Sequence, residues 1–117
     1  MTQKQAYISA YFFLESYWAE TKSEDLVHLL SSMNPFLWAD GGSADPAIYE
    51  EWLKCSKKIA VDEPLNAEQT FNVILEFLKY YHDEFEFAPM WLIDDLIAKT
   101  CNTPKWLECV SNAMQYE

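Results

Sequence analysis

Arginine is absent from this chain, which is the first fact its composition offers. The planar guanidinium fork is the usual device for gripping phosphate, so its loss removes one whole style of anion recognition. Basic charge is scarce in any form: eight Lys stand against 19 Asp and Glu, for a net charge of −11 and a pI near 4.4. Nucleic-acid backbones are bound through Lys and Arg that displace counterions, and anionic membrane surfaces attract the same side chains. Neither is an expected partner. A basic protein is the natural one.

Glycine is nearly missing too, with only Gly41 and Gly42 in 117 residues. No glycine-rich phosphate loop, Gly-x-Ser-x-Gly elbow or His-Glu-x-x-His pair occurs, so nothing points to a catalytic centre or a bound cofactor. No run approaches the ~18 apolar residues of a membrane span. The apolar stretch Ala10 to Leu14 ends at Glu15 before a signal-peptide core forms. Three cysteines, Cys55, Cys101 and Cys109, make an odd set without framework spacing. Buried reduced thiols in a cytoplasmic protein are expected.

Half of the residues are hydrophobic, enough to close one core in a chain of single-domain length. Apolar side chains recur three and four apart, and the five prolines fall between periodic segments. A first helix is expected from Gln3 to Glu20, with Tyr7, Ala10, Tyr11, Leu14, Tyr17 and Trp18 along one face. Thr21 with Glu24 reads as a capping box for a second, ending at Ser32. Asp45-Pro46 and Thr103-Pro104 read as caps followed by proline in the first turn, opening the third and sixth helices. Asn66 with Gln69 opens a fourth, and Met90, Ile93, Leu96 and Ile97 mark a fifth. Phe85 to Pro89 reads as a connector. Strand-like alternation is weak throughout, so the expected fold is all-α: one domain, residues 1–117, a compact bundle of five to six helices.

A shift of 64 residues lays Gln5, Phe13, Leu14, Tyr17 and Glu20 on Gln69, Phe77, Leu78, Tyr81 and Glu84. Trp52-Leu53-Lys54-Cys55 is echoed by Trp106-Leu107-Glu108-Cys109 at a shorter offset. Two pseudo-repeated helical halves would give both matches; so would amphipathic helices that are alike in composition.

Ligand-like residues are few. His82-Asp83-Glu84 and Asp94-Asp95 are neighbours in sequence, but adjacent side chains on a helix diverge by about 100° and do not converge on one ion. His82 reads as a hydrogen-bonded histidine of the core or its rim, and these carboxylates as an acidic face. The excess is aromatic: 16% of the chain, including five Trp. Most belong to the core, whereas Phe36, Trp38 and Trp91 fall in or beside connectors. Phe36 and Trp38 amid Asp40, Asp45, Glu50 and Glu51 have the make-up of an interface anchor with a charged rim. Asp83 and Glu84 complete the candidate partner-binding set. The competing reading is that Trp38 folds back to plug the helix ends.

The stretch from Glu20 through Ser23-Glu24-Asp25-Leu26 to Met33, then Leu37-Trp38-Ala39-Asp40-Gly41 and Asp45-Pro46-Ala47 to Trp52, resembles bacterial immunity proteins of the contact-dependent growth inhibition type. The chain departs from that pattern at Val27-His28, where the family carries a glycine. The resemblance implies a cytoplasmic inhibitor, without catalytic residues of its own, that blocks one cognate toxin domain. The other reading that fits the composition is a helical adaptor or regulatory subunit with an unrelated protein partner.

Overall fold

Three helices begin at a side-chain cap. In the computed structural model, which describes residues 1–35, 46–85, 88–98 and 103–116, six helices occur among the described residues. They are α1 (Gln3–Thr21), α2 (Glu24–Met33), α3 (Pro46–Ile59), α4 (Ala67–Phe85), α5 (Met90–Ala98) and α6 (Pro104–Ala113). No strand is found among those residues. The molecule measures 30 × 30 × 25 Å with a radius of gyration of 12.8 Å. It is an all-α bundle, as the periodicity requires.

Two long helices open with the same device. Thr2 accepts from the Gln5 backbone N–H at 3.1 Å while Gln5 reaches back to the Thr2 N–H at 2.9 Å. Asn66 and Gln69 repeat this box at 2.7 and 2.9 Å at the head of α4. The second helix corrects the sequence reading. Thr21 is the last residue of α1, and its hydroxyl donates back to the Tyr17 carbonyl at 2.8 Å. Lys22 turns the chain in the left-handed region at φ 55°, its ammonium 4.1 Å from the Trp18 ring centroid, and Ser23 caps α2. That φ costs a non-glycine residue about 1 kcal/mol or more, against which the Lys22 N–H to Trp18 carbonyl bond of 2.7 Å and the cation–π contact work. Thr103 precedes Pro104 as expected, but its side chain makes no capping bond. Phe85 belongs to α4 rather than to the connector after it.

The 64-residue offset reappears in space. Helices α1 and α4 are each 19 residues long and are displaced by that offset at both ends. Helix α1 packs on α2 and α6, α4 packs on α5 and α3, and the two touch each other. The third helix of each half thus lies mainly on the long helix of the other half. Trp52 of α3 meets Phe77 and Tyr7, both with ring centroids 5.6 Å away. Trp106 of α6 meets Phe13 at 5.2 Å and Phe71 at 5.8 Å. Phe13 and Phe77, like Tyr7 and Phe71, are equivalent positions under the shift, and both tryptophans are fully buried. Edge-on Phe13–Tyr17 and Phe77–Tyr81 pairs complete the correspondence. Such ring pairs add about 0.5–1.5 kcal/mol each beyond their burial.

The chain start is clasped at two places. Met1 and Leu65 exchange hydrogen bonds at 2.7 and 2.8 Å, and the Gln3 N–H donates to the Glu63 carboxylate. Gln5 donates to the carbonyls of Met114 and Tyr116 beyond α6. Cys55 and Cys109 are buried and unbridged, and Cys101 lies outside the described residues. No helix among the described residues is long and apolar enough to cross a membrane.

Candidate functional site

Of the residues singled out in the sequence, Phe36, Trp38, Asp40 and Asp45 lie outside the described residues. The other four sit on the paired helices α3 and α4. Glu51 and Glu84 approach one phenol, that of Tyr80, which hydrogen-bonds the Glu51 carboxylate. Desolvation, Glu51 and Glu84 all hold the Tyr80 phenol above its ordinary pKa. Beside it opens a groove of about 280 Å³ lined by Lys58, Glu76, Lys79, Tyr80, Asp83 and Glu84. Glu50 is exposed on α3 but is not part of that lining. The structure therefore brings Glu51, Asp83 and Glu84 together around Tyr80 and leaves Glu50 to one side.

This surface is more mixed in charge than an acidic rim. Lys54 pairs with Glu51 at 3.3 Å, and Lys58 and Lys79 line the groove itself. Sequence reasoning missed these lysines and Tyr80. The usable signal was the spacing of Glu76, Lys79, Tyr80, Asp83 and Glu84, three and four apart on one helix face. A matching groove of about 240 Å³ lies at the equivalent place on the other half, with Phe12, Glu15, Ser16 and Ala19 of α1 facing Lys105 and Glu108 of α6. The two grooves share position and differ in side chains.

Among the described residues, Lys54–Glu51 is the one ion pair. Glu20, Glu24, Asp25, Asp83, Glu84 and Asp94 are exposed without such a partner. These carboxylates favour long-range attraction of positive charge over internal stabilisation.

Two thiols and one imidazole lie in defined surroundings. Burial pushes the thiols of Cys55 and Cys109 up to about 11, so both stay protonated at neutral pH and are poor nucleophiles. The His82 Nδ1–H donates to the Ala88 carbonyl at 2.8 Å, tying the end of α4 to the approach to α5. No group of three His, Cys, Asp or Glu side chains converges on a metal position among the described residues.

Trp91, the third connector aromatic of the sequence, lies inside α5 and is 43% exposed. No family model matches this chain, and neither the curated proteins nor the solved structures contain a match to it.

Proposed function

We propose that this chain is an immunity protein of the contact-dependent growth inhibition type, a small acidic inhibitor that binds a cognate basic toxin domain in the cytoplasm and occludes its active site. The observation that carries the reading is the uncompensated surface charge: carboxylates spread over α1, α2, α4 and α5, against a single internal ion pair among the described residues. Such a field accelerates encounter with a basic partner by about 10- to 1000-fold without adding much to affinity, which comes from a few desolvated apolar anchors. The resemblance of residues 20–52 to immunity proteins gives the partner its class. In this reading the chain needs no catalytic residue and no cofactor.

The test is co-expression with a toxin domain encoded beside its gene, a neighbour that this reading requires. The expected outcome is restored growth and a stable complex whose association rate falls as salt rises while dissociation changes little. Growth inhibition that the chain does not relieve overturns the proposal.

A further inference from the structure

Helix α5 is built from Met90-Trp91-Leu92-Ile93-Asp94-Asp95-Leu96-Ile97-Ala98, apolar at every position except two. A helix that is apolar all round is ordinarily covered on all sides. Here only one side is covered: Leu92, Ile93 and Leu96 are buried, while Met90, Trp91 and Ile97 are 49%, 43% and 57% exposed. At 3.6 residues per turn, Ile97, Met90, Asp94, Ala98 and Trp91 follow one another around the outer face, with Asp94 at its middle. The corresponding helix α2 turns Glu24, Asp25, His28 and Ser31 outward, with Val27 its one exposed large apolar residue, whereas α5 exposes three. The helix is also held in place, because the Tyr17 hydroxyl donates to the Asp95 carboxylate at 2.6 Å and fixes α5 against α1.

We infer that the outer face of α5 is the docking surface for a basic amphipathic segment of the partner protein, with Met90, Trp91 and Ile97 taking its apolar side chains and Asp94 a lysine or arginine. This rests on the reading of the chain as a binder of a basic protein and names the surface that does the binding. Charge selects the occupant. A second copy packed about a two-fold axis on this face would oppose Asp94 to Asp94 and bring two chains of net charge −11 together. An anionic membrane is repelled for the same reason. The α3–α4 groove is a weaker candidate, since Lys54, Lys58 and Lys79 offset its carboxylates. By contrast Asp94 is exposed and has no ion pair among the described residues. Methionine and tryptophan suit the task, the first adapting to irregular surfaces and the second supplying a large rigid contact.

The experiment titrates the full chain with a synthetic Lys/Leu amphipathic helix of about 20 residues, beyond the ~12–15 at which isolated helices are marginal, and with its Glu/Leu counterpart. Nuclear magnetic resonance of the Met90 and Ile97 methyls and the Trp91 indole reports the site. The expected result is saturable shifts at α5 with the basic peptide only, and affinity lowered by about tenfold or more in both Ile97→Asp and Asp94→Lys. Asp62→Lys, in the exposed connector after α3, should bind as the parent does, and circular dichroism confirms that each exposed substitution leaves the fold intact. Equal binding of both peptides, or loss in Asp83→Lys of the α3–α4 groove with none in Asp94→Lys, overturns the inference. So does self-association of the chain that Ile97→Asp abolishes, which would make a second copy the occupant. Toxin co-expression keeps the two proposals apart: a parent that fails to protect defeats the immunity reading, whereas a protecting parent with fully protecting α5 variants defeats the docking face alone.

Discussion

Trp106 closes its indole N–H on the Ala67 carbonyl at 3.2 Å, whereas the N–H of Trp52, in the equivalent pocket, is buried without a partner. Position 3 is the counterpart of Ala67, and there Gln3 donates its amide to Ser56 at 2.8 Å and leaves its own buried oxygen unpaired. Unsatisfied buried groups cost about 1–3 kcal/mol, so the two halves differ in polar pairing although their rings match. The buried thiols nearby make a pH argument. Cys55 and Cys109 have folded values of about 11 against an ordinary 9.0, raised chiefly by desolvation. The unfolded chain therefore loses these protons first, so their contribution is complete below pH 9 and disappears as pH climbs to about 11. Tyr11 and Tyr49, raised by burial and then by Glu15 and Glu63 respectively, act in the same direction at higher pH. Urea denaturation at intervals from pH 8 to about 11 should show stability falling, and falling less in Cys55→Ala/Cys109→Ala. Identical slopes in parent and variant would show that the thiols do not contribute.

At the scale of the element, the caps rank themselves by geometry. Asn66 accepts from the Gln69 N–H at 2.7 Å within a reciprocal box, while Ser23 reaches the Leu26 N–H at 3.5 Å. Asn66→Ala should cost about 1–2 kcal/mol, Ser23→Ala about 0.5–1, and Thr21→Ala within ~0.5, as thermal melting would measure. A Thr21→Ala loss as large as that of Asn66→Ala would make Thr21 the cap after all. Thr21 satisfied the Thr-x-x-Glu pattern in the sequence, but the pattern does not reveal that α1 runs on until Thr21 itself. The other starts were legible because capping pairs and proline placement are local, but α1 is buried on most sides, Ile8, Ser9 and Phe13 included, and not only along its expected stripe. Helix α5 shows where this ends. Its expected stripe joined Met90 and Ile97 to Ile93 and Leu96, yet the buried set is Leu92, Ile93 and Leu96. A helix this rich in apolar residues has several faces able to turn inward, and tertiary packing chooses among them. The same holds for the site: Asp83 and Glu84 were visible, but Tyr80 between them and Glu51 depends on α3 lying against α4, which no local spacing encodes.

For the whole molecule, the decisive feature is the exchange of third helices between halves. Trp52 needs Phe77 and Trp106 needs Phe13, so neither half encloses its own tryptophan. Met1–Leu65 and Gln5–Met114 bonds also cross between them. The covalent link is a short exposed connector after Ile59, in which Val61 is 83% exposed. A protease site placed between Val61 and Asp62 should therefore be cut without dissociation, because the noncovalent interface is the core itself. The nicked protein is expected to melt in one cooperative step at a temperature that now rises with protein concentration, since folding has become an association. Each half prepared alone should lack the near-ultraviolet dichroism of ordered tryptophan, and mixing the two should restore it. An isolated residue 1–61 fragment that keeps that signal would mean that α3 folds back onto α1 and α2, and that the exchange is not what holds the bundle together.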